Sequence, residues 1–240
     1  MKMKSLRFII FILLLLPYLQ FSQVLNQKNV LLVWGGYEPH KPELFSNIVE
    51  EWLLSQNANV DIYNDLSPYD SYDKLISYDL IIQSVTMEKI SSKQANNLSK
   101  AVKNGVGIAG AHGGLTDSFR ENTEFQYIIG GQFVAHPGGQ VDYKVIFKKD
   151  ELTEGLNNFR IKTEQYYMHV DPNIDVIAET KFDGKFNPWI DGVVMPVAWK
   201  KKHGMGKVFY FAIGHDPMEF KQHIDAWKLL TRGFNWASRK

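Results

Sequence analysis

From residue 29 onward, short unbroken apolar runs alternate with segments whose apolar residues recur every three or four positions. Residues 29–34 (NVLLVW) read as a buried strand halted by Gly35-Gly36. Pro42 opens a helix in which Leu44, Ile48 and Trp52, or Phe45, Val49 and Trp52, share a face. Residues 60–63 alternate as a short strand, and Leu80-Ile81-Ile82 forms another buried one. A helix follows over 91–103, capped by Ser91 or Ser92, and 106–111 (VGIAGA) reads as a fourth strand. The resulting order, β-α-β-β-α-β, is roughly the alternation that builds a parallel sheet covered by helices.

The second half changes character. Residues 141–147, 161–168, 174–178, 193–199 and 207–213 all read as strands, with His203-Gly204-Met205-Gly206 turning the last two into an antiparallel hairpin. A closing helix is predicted from Asp216-Pro217, with Phe220, Ile224, Trp227, Leu230 and Phe234 as its docking stripe. No internal repeat or linker divides the chain, so 24–240 is expected to form a single α/β domain.

The N-terminus follows a different pattern. Lys2, Lys4 and Arg7 precede the uninterrupted apolar run 8–16 (FIIFILLLL), which Pro17 ends. This is the layout of a signal peptide over 1–23, with cleavage near Ser22 or Gln23. A lasting membrane span needs about 20 apolar residues, so no stable membrane insertion is expected after cleavage. The expected location is periplasmic or secreted.

Composition narrows the chemistry. At 240 residues, with 45% apolar and 22% charged positions, the chain is an ordinary globular mixture. Lys+Arg 27 against Asp+Glu 26 leaves no basic excess, which argues against nucleic acid as a partner. Cys 0 excludes thiolate nucleophiles, cysteine-ligated metals, disulfides and lipid attachment through cysteine. Stability therefore has to come from one well-filled core.

Four of the seven histidines stand at the end of an apolar run beside a turn signal: His112 (AGAHGG), His136 (FVAHPGG), His169 (YYMHVDP) and His215 (AIGHDP). In open α/β sheets ligands bind outside the carboxyl ends of the strands. His112 and His215 fit that edge directly, and His40 lies in the loop after the first strand. Glu164 and Tyr166 share one face if 161–168 is a strand. Taken singly, each histidine reads as a turn residue satisfied by backbone hydrogen bonds. Four in one context point to a polar pocket whose imidazoles bind a metal or move protons.

His112, His136 and His215 are the candidates to hold zinc or another divalent ion, although no HExxH or other standard spacing is present. His112, His215, Glu164 and Tyr166 are the candidates for catalysis. Trp34, Gly35, Gly36, His40, Gly113, Asp117, His136 and Trp189 are the candidates for substrate binding; aromatic residues so placed can stack on a sugar ring but more often serve as core or rim packing. His203, among lysines in a hairpin turn, and His223, on the polar side of the last helix, carry no functional signal.

Other motifs fail their context. Gly105 to Gly110 matches G-x-G-x-x-G but lies in a strand instead of opening a helix, and no G-x-S-x-G elbow exists.

The combination of AHGG with Asp117 close behind, GGQFVAHP, TEQYY, MPVAWKKKHGMGKVFYFAIGHDP and the aromatic closing helix resembles the ThuA-like family, named for trehalose utilisation, over about residues 29–238. The resemblance implies a flavodoxin-like fold similar to class I glutamine amidotransferases: a mostly parallel sheet with helices on both faces, here with an antiparallel extension. It places His112 where those enzymes carry a cysteine, so amidotransferase chemistry does not transfer. It also implies a small-molecule carbohydrate as partner, with glycosides or their 3-keto derivatives as substrates and a sugar dehydrogenase as functional neighbour. A non-catalytic sugar-binding domain and a conventional metal-dependent glycoside or ester hydrolase stand as alternatives.

Overall fold

The structure, a computed structural model, describes residues 24–240; the signal peptide expected at 1–23 lies outside the described residues. The first half runs β1 (Asn29–Gly36), α1 (Pro42–Ser55), β2 (Asn59–Tyr63), α2 (Tyr72–Ile76), β3 (Leu80–Thr86), α3 (Ser92–Lys103), β4 (Gly107–Ala111), α4 (Gly113–Thr116) and α5 (Thr123–Ile129). The second half runs β5 (Gly131–Ala135), β6 (Gln140–Phe147), β7 (Phe159–Glu164), β8 (Tyr167–Val170), β9 (Asp175–Lys181), β10 (Val194–His203), β11 (Gly206–Phe211), α6 (Glu219–Gln222) and α7 (Ile224–Ala237).

Nine strands form one sheet in the order β2-β1-β3-β4-β11-β10-β9-β6-β7. The first five are parallel to one another, and from β11 onward every pairing is antiparallel. The parallel part has the 2-1-3-4-5 order of a flavodoxin-like sheet, with β11 as its fifth strand. The chain leaves β1 toward β2 but leaves β3 in the opposite direction, so right-handed crossovers put α1 and α3 on opposite faces. α7 joins α1, where the Trp52 ring meets Trp227 at 6.2 Å and Phe234 at 5.8 Å.

Because both faces are covered, the central strands are apolar almost without interruption: every residue of β3 and β4 is buried. Of the polar residues within β3, Gln83 is hydrogen-bonded through both ends of its amide. It accepts from the Tyr69 hydroxyl at 2.9 Å and donates to Gly114 O at 3.1 Å and Ser118 Oγ at 2.9 Å, which pins α4 to the sheet. α3 starts at a capping box, Ser91 Oγ accepting from Gln94 N and Gln94 Oε1 accepting from Ser91 N.

Several segments depart from the sequence expectation. The run 161–168 is not one strand. β7 ends at Glu164, opposite Gln140 of β6, and the chain then crosses to a separate two-stranded sheet in which β8 pairs with β5. β5 and the short helices α2, α4 and α5 are elements beyond those the pattern predicts.

The closing helix does not start at Asp216. Asp216 Oδ1 instead accepts from Met218 N in a tight turn, and His223, in extended conformation, separates α6 from α7. That break shifts the helical phase, so Ile224 of the expected stripe is 62% exposed, whereas Phe220, Leu230 and Phe234 are buried.

Candidate functional site

Loops after four strands converge at one edge of the sheet. After β4 the chain turns sharply at His112, whose backbone (φ 50, ψ −142) is strained for a residue with a Cβ, before entering α4. His112 N–H donates to Phe211 O at 2.8 Å, tying the elbow to the end of β11. His112 Nδ1 lies 2.9 Å from Ala212 O. A carbonyl only accepts, so Nδ1 carries the proton and Nε2 of the neutral ring offers a lone pair.

His40 arrives from the turn after β1. Its Nδ1 is 3.3 Å from Thr86 Oγ1, at the end of β3. His215 follows β11 in a loop braced by Glu219, whose two carboxylate oxygens accept from Gly214 N at 2.9 Å and Asp216 N at 3.3 Å. The ion pair of Lys41 with Asp216, at 2.6 Å, fastens the His40 turn to the His215 loop.

Glu164, the last residue of β7, supplies the centre. Its Oε2 lies 3.1 Å from His112 Nε2, 3.3 Å from His215 Nδ1 and 4.0 Å from His40 Nε2. Its other oxygen lies 3.7 Å from His136 Nε2 at the exposed rim. One ligand atom each from His40, His112, Glu164 and His215 can be chosen so that all four lie within 4.8 Å of one another.

The electrostatics favour an ionised Glu164 carboxylate and a neutral His40 ring. Burial, with the neighbouring His112 ring, pushes His40 down to about 3, so its ring is neutral near pH 7. Burial acts to raise the Glu164 carboxyl, but His112 and His215 outweigh it and hold it below the ordinary carboxylate range. The Glu164 carboxylate in turn raises His215.

This donor set fits a divalent cation. His112 Nε2 and Glu164 Oε2 are 3.1 Å apart, and neither carries a proton to share when the His112 ring is neutral. His215 Nδ1 is buried and lacks a hydrogen-bonding partner despite its approach to Glu164. Three imidazole nitrogens and one carboxylate suit zinc or another first-row divalent ion. The Nδ1–H of His112 on a backbone carbonyl is the outer support that orients a ligating imidazole. The Tyr166 hydroxyl, 2.7 Å from His112 Nε2, donates to that nitrogen in this structure. Burial raises the Tyr166 phenol well above its ordinary value, so it remains a donor.

The sequence-predicted residues divide clearly. His112, His215, Glu164 and Tyr166 meet as expected. The fold brings Glu164 and Tyr166 together at a strand break instead of along one strand. His40, read from sequence as a substrate contact, belongs to the group that can hold a cation, whereas His136, read as a ligand, stands outside it on the far oxygen of Glu164.

Gly113 receives the His40 ring. A Cβ there would lie 2.8 Å from His40 Cε1, so the residue makes room for a ligand side chain and not directly for a substrate. Asp117 is buried and held by Arg120. Trp34, Gly35 and Gly36 close β1 in register with Ser84, Val85 and Thr86. Trp189 is 79% exposed in the turn Pro188–Ile190.

His169 is exposed on β8, away from the role its context suggested. His203 is buried, with Nε2 3.1 Å from Ser99 Oγ. His223 marks the helix break and stacks on Phe159. Sequence reasoning missed Thr86 and the Ala212 carbonyl, and neither bears a local signal.

A ThuA family model, described as trehalose utilisation, matches residues 29–237. No curated protein matches the sequence. Among solved structures, a ThuA-like protein from Bacteroides uniformis superposes with a TM-score of 0.71 at 19% identity, covering 88% of this chain and 92% of that one. A ThuA-like protein from Parabacteroides merdae gives 0.69 at 19% identity over 88% and 90%. A β-galactosidase from Bacillus circulans gives 0.51 at 17% identity over 89% of this chain but 31% of its own. At these identities the likeness concerns the fold.

Proposed function

Because the chain belongs to the ThuA family and so carries a carbohydrate-utilisation role, we propose that it is a cation-assisted lyase acting on 3-keto glycosides. The observation that carries the reading is the convergence of His40, His112, Glu164 and His215 on one point. These four residues would hold the cation, which when bound supplies polarisation of a sugar oxygen.

The remaining groups suit acid–base work. A ketone at C3 acidifies the C2–H bond, so a base can begin elimination of the C1 substituent. His136 is the imidazole of the group outside the cation set, its side chain is 41% exposed, and Glu164 orients it from 3.7 Å. In the proposed step His136 takes the C2 proton, and the electron pair of that bond becomes the C1=C2 double bond. The C1–O bond breaks with its pair on oxygen, and His136 returns the proton to that oxygen. With the cation on His112 Nε2, the Tyr166 hydroxyl would be free to donate its hydrogen bond to that oxygen. The ketone must come from oxidation of a C3 hydroxyl, so an oxidoreductase acting on the same sugar supplies the substrate.

A conventional glycosidase needs two functional carboxyl groups on either side of the bond. Asp216 is paired with Lys41, Asp117 with Arg120, and Glu219 braces the His215 loop, which leaves Glu164. That distribution favours the keto-glycoside reading. An exported location is part of the proposal and rests on the basic and apolar pattern of residues 1–17.

The test is incubation of the purified mature chain with glycosides and with their 3-keto derivatives, with and without chelator. Turnover of the keto forms alone, lost on chelation and restored by a divalent ion, is expected. Turnover of unoxidised glycosides, or sugar binding without product, overturns the proposal.

A further inference from the structure

A cleft of about 550 Å³ lies between β6 and the loop after β9, and its lining includes chain neighbours of His136 and Glu164. Its volume is within the roughly 300–1,000 Å³ typical of small-molecule sites. Three links tie it to Glu164. Gln140, which lines it, is the cross-strand partner of Glu164, so the two side chains share a face of the sheet. Gln165, another lining residue, follows Glu164 directly. Pro137 and Gly138 line it and follow His136 directly.

The walls have the chemistry that recognises a sugar. Phe186 is 48% exposed and lines the cleft. Its ring lies so close to Gly138 that a Cβ there would overlap it, and Gly138 has φ +87, so the loop after His136 and the ring hold each other in place. Asp142 and Arg160, an exposed ion pair, also line the cleft and supply polar groups. One aromatic face beside several fixed donors and acceptors is the arrangement that stacks and orients a pyranose ring.

We propose that this cleft is the subsite for the second sugar ring of a disaccharide substrate, the ring that leaves when the bond to the reacting ring breaks. The inference rests on the carbohydrate reading of the His/Glu cluster. The cleft adds selectivity for a disaccharide over a simple alkyl glycoside, with Phe186 as the stacking residue and Arg160 as the polar anchor.

The experiment compares binding of a non-reducing glucose disaccharide and of methyl glucoside to the purified chain and to its Phe186→Ala and Arg160→Ala variants, by calorimetric titration. Turnover of the 3-keto forms of both sugars is measured in parallel. The disaccharide is expected to bind about tenfold tighter than the methyl glycoside, corresponding to roughly 1.4 kcal/mol, and each variant to lose most of that advantage. Both positions are exposed, so the variants should melt at the parent temperature.

Equal binding of the two sugars, no binding of either, or an advantage that survives both substitutions overturns the subsite. Disaccharide preference without turnover of any keto form leaves the subsite standing and overturns the lyase proposal.

Discussion

His112 Nδ1 donates to the Ala212 carbonyl at 2.9 Å, and this single bond fixes the tautomer of the ring at the centre of the site. The acceptor is a backbone atom at the end of β11, so the orientation belongs to the sheet itself. Nε2 is left facing Glu164 and Tyr166, the position from which an imidazole can accept a proton or a cation.

The strained elbow predicts an order among variants. His112→Ala keeps a Cβ in an unfavourable backbone region and loses the bond to Ala212. His112→Gly loses the same bond but is at ease at φ 50. The glycine variant is therefore expected to be more stable than the alanine variant by about 1 kcal/mol, read by denaturant unfolding. Both should lack activity.

Gly113 predicts a defect at a distance from the cation. An added Cβ would press on His40 at 2.8 Å from Cε1 and 2.9 Å from Nδ1. Gly113→Ala is expected to displace that ring and weaken divalent-ion binding roughly tenfold or more, an effect of the size seen when a ligand's support is removed. Calorimetric ion titration and a circular dichroism spectrum would separate this from unfolding. Parent-like affinity would mean that His40 is not a ligand.

Acid sensitivity should arise far from the site as well. Burial, with Lys103 and Lys201 nearby, depresses His203 to about 4 from an ordinary 6.5. Between those values the unfolded chain binds more protons than the folded one, so stability is present above about pH 6.5 and falls as pH drops toward 4. Melting temperatures with chelator present should decline over this window. His203→Gln, which can still bond Ser99, should flatten part of the decline. An unchanged slope in the variant would remove His203 as a cause.

The parallel half of the fold was legible because its strands are buried on both faces and read as unbroken apolar runs, as in 29–34 and 80–82. The break after Glu164 was not. Alternation continues through Tyr166, and only the change of pairing partner, from Gln140 to Ala135, ends one strand and starts the next. His112 and His215 could be gathered because each sits at a strand end with glycine beside it.

The exchange of roles between His40 and His136 could not be read, since both lie in loops with similar local chemistry. What separates them is depth: the His40 side chain is 10% exposed beside Gly113, whereas that of His136 is 41% exposed. Asp117 is paired by Arg120, three residues on, whereas Asp216, read as the start of the closing helix, is paired by Lys41, which the fold brings from 175 residues away.

The central claim is that three imidazoles and Glu164 form one cation site, and titration of metal-free protein with Co²⁺, followed by its visible absorption, addresses it most directly. The account predicts a single saturable site with the absorption of a nitrogen- and oxygen-ligated ion, abolished in Glu164→Gln and His40→Ala but retained in His136→Ala. No saturable absorption in the parent, or absorption that survives loss of Glu164 and His40 alike, would contradict it.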